Sequence, residues 1–272
     1  MPLKLMYITN RPEIASIAED AGVDRIFIDM EFIGKKQRQG GMDTVKNHHT
    51  IEDILKVRKV IKKAEIMVRI NPLHENYKGY MDSKEEIERA IEAGADVLML
   101  PYFSKPEEVE KFITYVDKRA VTFPLLENAK AVECLDEILK IQGIDQIHIG
   151  LNDLSLDLHR KFMFEILADG TVDKICQKIK EYNIPFGIGG FGRIGHGQVP
   201  AEQIIKEHYR LGSSYAILSR SFCNLERIDD ICKIEKIFKE GVRKIRDFEK
   251  TCVGGFDKSH QEFIKTVRGI VR

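Results

Sequence analysis

The sequence predicts an α/β fold of the (β/α)₈ TIM-barrel type, and three observations favour it. Short apolar runs alternate eight times with longer amphipathic stretches, and no linker separates the units. Runs as apolar as these are typical of strands buried on both faces, which a parallel sheet requires. The chain has 272 residues, which is close to the usual size of one such barrel, roughly 250 residues.

The eight predicted strands are all short and apolar. They are LKLMYIT (3–9), RIFIDME (25–31), EIMVRIN (65–71), DVLMLPYF (96–103), VTFPLLE (121–127), DQIHIGLND (145–153), PFGIGG (185–190) and YAILSRSF (215–222). The segments between them carry apolar residues at three- and four-residue spacing, as in Ile87, Ala90 and Ile91, which is typical of amphipathic helices. A doubly wound open sheet is the alternative, but eight such units in one chain favour closure into a barrel.

Two segments interrupt this alternation. Residues 32–49, FIGKKQRQGGMDTVKNHH, form a long polar loop after the second strand. Such a loop is either functional or a surface excursion, and the sequence leaves both readings open. Residues 251–272 follow the last helix of the barrel. We therefore expect a single barrel domain over residues 1–250 and a C-terminal tail that packs on a neighbouring subunit.

Composition argues against several classes of partner. The 43 Lys and Arg residues balance the 43 Asp and Glu residues, so the formal net charge is zero. A neutral chain has no general attraction to nucleic acid or to an anionic membrane, and no apolar run approaches the ~20 residues that span a bilayer. The five cysteines are scattered without a CxxC pair, which is typical of reduced thiols in a cytoplasmic protein.

Polar side chains stand where the predicted strands end, which is where (β/α)₈ barrels place their active sites. They are Asp29, Glu31, Arg69, Asn71, Glu127, Asn128, Asn152, Asp153, Ser219, Arg220 and Ser221. Four carboxylates at one barrel mouth would repel one another without a cation, and oxygen ligands suit Mg²⁺ or Mn²⁺. We expect Glu127 and Asp153, on adjacent strands, to bind such an ion. The alternative is that these acids cap the following helices or pair with Arg69.

Arg69 ends an apolar strand, so its guanidinium is expected at the barrel mouth, where it suits a carboxylate or an enolate oxygen. Pairing with Asp29 or Glu31 is the alternative. The glycine-rich segment 187–197, which contains Arg193, is either a phosphate-binding loop or a tight turn. No lysine stands at a strand end, which favours a metal ion over a Schiff-base lysine as the electron sink.

Several of these strand-end segments resemble the HpcH/HpaI aldolase and citrate lyase β-subunit family. The matching segments are FIDMEF (27–32), MVRINP (67–72), GADVLMLPYF (94–103), LLENAKAVE (125–133) and GIDQIHIGLNDLS (143–155). The resemblance covers about residues 20–155. Its specificity comes from the order in which VRIN, the glutamate of the fifth strand and GLNDLS follow one another.

The resemblance implies a barrel of the phosphoenolpyruvate/pyruvate-domain type and a metal-dependent carbon–carbon lyase or aldolase. Such an enzyme acts through a pyruvate-type enolate, so the implied substrate is a small pyruvate-like 2-oxo acid. By the family pattern, Glu127 and Asp153 bind the metal, and Arg69 contacts the carboxylate or keto oxygen of the substrate. The resemblance also implies a homo-oligomer, a trimer or hexamer in which C-terminal helices are exchanged between subunits.

One position departs from the family pattern. Aldolases of this family often have a histidine directly after the acid of the second strand, as part of the base, whereas this chain has Phe32 there. We expect His48 or His49, in the long loop, to act as the base instead. Asp29 and Glu31 at the same rim complete the expected catalytic group, and an active-site water on the metal is the alternative base.

Two other functions stay open from the sequence. One is a phosphoenolpyruvate-utilising enzyme of the same superfamily, which the glycine-rich loop would suit. The other is a non-catalytic barrel that binds a ligand, which the missing histidine would suit. We expect the substrate or ligand to contact residues at the ends of the last three strands. These are Gly150, Asn152, Gly190, Arg193 and Ser219.

Overall fold

The computed structural model describes residues 1–35 and 49–271. The strands in this part of the chain are β1 Lys4–Ile8, β2 Arg25–Asp29, β3 Glu65–Arg69, β4 Val97–Met99, β5 Val121–Thr122, β6 Leu125–Leu126, β7 Ile147–Ile149, β8 Phe186–Phe191 and β9 Tyr215–Leu218. They form one parallel sheet in the order β5-β4-β3-β2-β1-β9-β8-β7-β6. Every strand overlaps a run that the sequence predicts, and the predicted α/β barrel is confirmed.

The sheet closes into a barrel through the fifth predicted strand, residues 121–127. Phe123 donates its N–H to Leu98 O on the β4 side at 2.9 Å. On the β7 side, Pro124 O accepts the N–H of His148 at 3.0 Å. A single stretch of chain therefore bonds to both ends of the strand order, as a closed barrel requires.

Pro124 divides this closing strand into β5 and β6. Successive residues of a strand direct their backbone groups to opposite sides, and proline has no N–H. Pro124 therefore cannot donate on the β7 side, and the ladder is interrupted there. The regular ladders pair β5 with β4 and β6 with β7, while single backbone hydrogen bonds continue on the other sides, from Leu125 N–H to Leu100 O at 2.8 Å and from Gln146 N–H to Thr122 O at 3.1 Å. The closing strand is a seam made of two short ladders.

Alternate residues of the strands face the two sides of the barrel wall. One set forms a compact apolar cluster that fills the barrel interior: Met6, Phe27, Met67, Val97, Met99, Phe123, Leu125 and Tyr215. Their neighbours along the strands, such as Leu5, Ile26 and Val68, belong to the larger core between sheet and helices. The two cores fix the strands against one another, so the side chains that follow their carboxyl ends share one rim of the barrel.

The helices pack around the outside of the sheet and follow the strands along the chain. They are α1 Pro12–Asp20, α2 Ile51–Arg58, α3 Ser83–Glu92, α4 Pro106–Val116, α5 Ala129–Glu133, α6 Leu135–Ile138, α7 Leu151–Asp157, α8 Glu165–Ala168, α9 Thr171–Glu181, α10 Ala201–Leu211, α11 Ile231–Glu249 and α12 Phe256–Val271. Among these helices, none combines the length and the apolar character needed to cross a membrane.

The C-terminal segment, which the sequence presents as a tail, forms a helix that packs against its own barrel. Helix α12 contacts α10 and α8. The ring of Phe263 is fully buried, with its centroid 6.2 Å from that of Phe164. His260 Nδ1 lies 2.9 Å from Glu207 Oε2 of α10. Contact between this region and a neighbouring subunit stays a prediction, and such a contact would use the side of the C-terminal segment that faces away from its own barrel.

Truncating Phe263 to Ala tests the packing of α12. We expect the free energy of unfolding to fall by ~3–5 kcal/mol, because a fully buried ring is lost and a cavity is left behind. The matched control is Lys265→Ala on the exposed side of the same helix, for which we expect a change within ~0.5 kcal/mol. Urea unfolding followed by circular dichroism measures both values. Equal losses in the two variants would contradict the docking of this helix on its own barrel.

Candidate active site

Asp29 and Arg69 end the neighbouring strands β2 and β3 and form a buried ion pair. The two residues are register partners in the parallel ladder. Arg69 Nε donates to Asp29 Oδ1 at 2.8 Å, and Arg69 Nη2 donates to Asp29 Oδ2 at 2.8 Å. Asp29 is 1% exposed, and this two-point pairing satisfies its charge away from water. The sequence left open, as an alternative, that Arg69 pairs with Asp29 or Glu31, and the structure shows the pairing with Asp29.

The charges around Asp29 determine its ionisation. Burial by itself raises the pKa of Asp29, but the Arg69 guanidinium and the Lys35 ammonium outweigh it and hold the pKa well below its usual range. Burial lowers the pKa of Arg69, but Asp29 and Glu31 outweigh it and raise the pKa well above its usual value. Both partners of the pair are therefore charged at physiological pH.

Lys35 is a cation at the barrel mouth that the pattern of strand-end residues does not predict. Its Nζ donates to Asp29 Oδ2 at 2.8 Å and lies 3.7 Å from Glu31 Oε2. Lys35 is buried and lies in the loop after β2. The sequence signal that indicates this pairing is the four-residue spacing between Glu31 and Lys35. Arg69 and Lys35 balance the charges of Asp29 and Glu31. The alternative that the sequence left open, in which these acids pair with Arg69, is therefore present for Asp29 and Glu31, and metal binding by Glu127 and Asp153 stays a prediction.

Asn71 shapes the turn that brings Lys35 to the mouth. Its Oδ1 accepts the N–H of Phe32 at 2.9 Å and the next N–H along the chain at the same distance. Gly34 then adopts a φ of 74°, a left-handed conformation that glycine tolerates without strain. The Phe32 ring packs edge-on against Tyr80 with centroids 5.0 Å apart. Phe32 therefore lies outside the ion-pair cluster, while Lys35 joins it.

His49 lies beside Asp29 at the far end of the long loop. The backbone N–H of Asp29 donates to His49 Nδ1 at 2.9 Å. Helix α2 begins two residues later, and Asp53 in its first turn accepts the N–H of Thr50 on Oδ2 at 3.0 Å. Burial lowers the pKa of His49, so the ring is neutral at physiological pH. His48, the other predicted base, lies outside the described residues.

Glu127 follows β6 and is the first member of the predicted metal-binding pair. It is 3% exposed, and its Oε1 accepts the N–H of Tyr102 at 2.9 Å. Tyr102 has a φ of 49°, a left-handed conformation that is uncommon outside glycine and that persists where its surroundings hold it. Gly150, which follows β7, packs against the same carboxylate, because a Cβ there would lie 2.9 Å from Glu127 Cβ. Gly150 therefore makes room for Glu127.

Asp153 follows β7, the neighbour of β6, and lies in the first turn of helix α7. Asn152 Nδ2 donates to Asp153 Oδ1 at 2.9 Å, and an acid in this turn also suits the positive end of a helix. Glu127 and Asp153 offer carboxylate oxygens, the donor atoms that Mg²⁺ and Mn²⁺ prefer, so their chemistry fits such an ion. Within residues 1–35 and 49–271, no group of three or more His, Cys, Asp or Glu residues is arranged to hold a metal.

The residues predicted at the ends of the last strands reach the same rim. Gly190 is the register partner of Ile217, and a Cβ on it would clash with Ile217 O, so this glycine lets β8 approach β9 closely. Ser219 Oγ lies 2.8 Å from Ser221 Oγ. Arg193 Nε is buried and has no hydrogen-bond partner in the described part of the chain. The close packing of β8 on β9 explains why position 190 is a glycine. Phosphate binding by the glycine-rich segment 187–197 stays a prediction.

A cavity of about 300 Å³ opens between the ends of β1 and β9. Its polar lining includes Asn10, Arg11, His49, Ser219 and Arg220. These side chains offer several hydrogen-bond donors and two cations, so the cavity suits a small, oxygen-rich molecule. His49 joins the wall of this cavity to the Asp29–Arg69 pair through its hydrogen bond with the Asp29 amide.

Comparisons with known proteins confirm the family resemblance. The model of the HpcH/HpaI aldolase/citrate lyase family matches residues 4–165. This region includes the carboxyl ends of β1 to β7, and with them Asp29, Arg69, Glu127 and Asp153. No curated protein matches the chain.

Solved structures share the fold at low sequence identity. An HpcH/HpaI aldolase from Desulfitobacterium hafniense DCB-2 is 17% identical with a TM-score of 0.60, over 94% of this chain and 95% of that chain. An HpcH/HpaI aldolase/citrate lyase family protein from Burkholderia cenocepacia J2315 is 15% identical with a TM-score of 0.62, over 90% and 95%. The citrate synthase SbnG is 15% identical with a TM-score of 0.57, over 90% and 94%. These similarities establish the barrel fold alone.

Replacing Asp29 with Asn tests the buried charge cluster. The buried Lys35 and the largely buried Arg69 would lose their shared partner, so we expect the free energy of unfolding near neutral pH to fall by ~3–5 kcal/mol. The pKa of Asp29 lies below its unfolded value of ~3.9, so its stabilisation is complete above that pH. The difference from wild type should shrink as the pH falls below about 4, and urea unfolding across this range measures it.

The control for this substitution is Asp136→Asn, which removes the exposed ion pair between Asp136 Oδ2 and Lys178 Nζ. An exposed pair contributes ~0–1 kcal/mol, so we expect little change at any pH. If both variants lost the same stability, Asp29 would not be the centre of a buried cluster.

Proposed function

The chain belongs to the HpcH/HpaI aldolase/citrate lyase family, and we propose that it is a divalent-metal-dependent carbon–carbon lyase of the aldolase type. It would form or cleave a bond next to the pyruvate-type enolate of a small 2-oxo acid. The observation that carries the proposal is the arrangement of charges at one rim of the barrel. There the cation Arg69 ends β3, and the carboxylates of Glu127 and Asp153 follow β6 and β7.

Arg69 is the group that receives the substrate anion. Its Nε and Nη2 are bound to Asp29. Among the described residues none accepts a hydrogen bond from Nη1, so its N–H groups can bind a substrate oxygen. Because the guanidinium is fixed before the substrate binds, little side-chain entropy is lost when the anion arrives. The fixed charge also stabilises the oxygen on which negative charge develops as the enolate forms.

Glu127 and Asp153 would hold Mg²⁺ or Mn²⁺, and the typical metal dependence of the family supports this assignment. When bound, such an ion withdraws electron density from the keto oxygen of a 2-oxo acid. The chain itself orients the ligands: the N–H of Tyr102 holds Glu127 at 2.9 Å, and the amide of Asn152 holds Asp153 at 2.9 Å. Partners of this kind keep ligands in position.

The carbon–carbon bond forms between the methyl-derived carbon of the enolate and the carbonyl carbon of an electrophile. A base removes the methyl proton, and the carbonyl oxygen of the electrophile takes up a proton as it becomes a hydroxyl group. Cleavage is the same sequence in reverse. The cavity between β1 and β9, with Asn10, Ser219 and Arg220 in its wall, has the volume and the polarity for the oxygen-rich 2-oxo acid.

Glu127→Gln and Asp153→Asn test the metal assignment. Each change replaces a charged ligand with a neutral amide, so we expect the affinity for Mg²⁺ and Mn²⁺ to fall by more than the ~10–100-fold typical of losing an outer partner. The barrel should stay folded by circular dichroism. Titration calorimetry measures the affinity, and unchanged values in both variants would remove these residues from the metal site.

Gly150→Ala is an independent variant of the same test, because it alters no charge. The added Cβ would lie 2.9 Å from Glu127 Cβ, so we expect the carboxylate to be displaced and metal binding to weaken. Gly269→Ala in α12 is the matched control, since a Cβ there would meet nothing within 4 Å. We expect its metal affinity to equal that of wild type.

We also propose a homo-oligomer, a trimer or a hexamer, whose contacts use the C-terminal region. Val253, between α11 and α12, is 83% exposed, so an apolar side chain is available in this region for contact with a second copy of the chain. Light scattering at micromolar concentration should give a multiple of 31.3 kDa. Val253→Asp should lower that mass, whereas the neighbouring control Thr251→Asp should not. A monomeric wild type would contradict the proposal.

A further inference from the structure

The hydrogen bond between Asp29 and His49 determines where the imidazole carries its proton. The backbone N–H of Asp29 donates to His49 Nδ1 at 2.9 Å, so Nδ1 must present a lone pair. A neutral imidazole with an unprotonated Nδ1 carries its hydrogen on Nε2. A charged ring would direct a second N–H at the Asp29 amide, so the charged form is incompatible with this arrangement.

The surroundings of His49 favour the same neutral state. Burial disfavours the charged ring and lowers its pKa, and the cations Lys35 and Arg69 act in the same direction. The carboxylates of Asp29 and Asp53 act in the opposite direction but do not outweigh these effects. The groups that face the ring from β2, β3, the loop and α2 therefore leave it uncharged near neutral pH.

His49 Nε2–H is available to donate a hydrogen bond to another molecule. Within the part of the chain that the structure describes, no residue accepts a hydrogen bond from it. The ring lines the cavity of about 300 Å³ that Ser219 also lines, at the rim that carries Arg69. His49 also borders a second cavity, of about 310 Å³, whose lining includes the rings of Phe32 and Tyr80. The cavity with the polar rim is the one that fits an oxygen-rich ligand.

We infer that His49 is a catalytic hydrogen-bond donor, which offers Nε2–H to an oxygen of the bound 2-oxo acid, and that it is not the base. This inference rests on the proposed function. A neutral donor stabilises the negative charge that develops on the oxygen and keeps its own proton. Asp29 then has two roles, because its carboxylate fixes Arg69 and its backbone N–H fixes the tautomer of His49.

Nitrogen NMR of protein with isotope-labelled histidine tests the proton positions without any need for catalysis. The signals of His49 are assigned by their loss in His49→Gln. We expect a neutral ring, protonated on Nε2 and unprotonated on Nδ1, at about pH 6.5, the usual pKa of histidine. A charged ring at that pH, or a neutral ring with its proton on Nδ1, would overturn the inference.

Two substitutions separate a hydrogen-bond donor from a base. His49→Gln keeps an N–H donor but cannot take up a proton, whereas His49→Leu removes both functions. The assay is exchange of the methyl protons of pyruvate with solvent deuterium. We expect His49→Leu to slow exchange by about 10²–10³-fold, as for loss of one oxyanion donor, and His49→Gln to restore most of that loss. The control is His159→Gln, an exposed histidine after α7, which should exchange as wild type does.

A base would behave differently, because both substitutions would slow exchange equally, by about 10²–10⁴-fold. That result overturns the inference, and so does unchanged exchange in His49→Leu. If wild type exchanges no protons, the proposed function fails and the catalytic role of His49 fails with it, while NMR still decides its tautomer. If wild type exchanges and the ring is charged, the inference alone fails.

Discussion

The buried pairing of Asp29 with Arg69 is the interaction on which the barrel mouth depends. Removing two charges from water is costly, and the cost is offset only where the geometry is good and further hydrogen bonds are made. Here the parallel register of β2 and β3 places the two residues side by side, and both guanidinium contacts measure 2.8 Å. Lys35 and His49 then attach to Asp29 itself, so the ends of the long loop are both anchored on one residue.

The barrel and the main rim residues could be predicted from the sequence because their signals are local. An apolar run ends, a polar residue follows, and the fold places every such end on one rim, as for Glu127 and Asp153. Lys35 could not be predicted in the same way. Its position depends on a left-handed Gly34 and on the Asn71 side chain, which reaches the turn from the segment after β3. Such contacts leave no periodic pattern.

Histidine 49 illustrates a second limit of sequence-based prediction. The residue type and the loop length both indicated a base, and the structure does bring the ring beside Asp29. The state of the ring, however, depends on which backbone group faces Nδ1, and no property of the loop sequence reports that. The C-terminal helix is a similar case, because residues 251–272 carry an amphipathic pattern whose partner, α10, lies some fifty residues earlier in the chain.

Pro124 gives the barrel a line of division that bears on ligand binding. The seam between β5 and β6 separates a first half, β1 to β5, which carries Asp29 and Arg69, from a second half, β6 to β9, which carries Glu127 and Asp153. A molecule that contacts Arg69 and the two acids at once would bridge the two halves at the carboxyl ends of their strands, across the strand that contains Pro124. Ligand binding at the barrel mouth and stability of the barrel are then linked, because a molecule that binds only the closed barrel stabilises it by mass action.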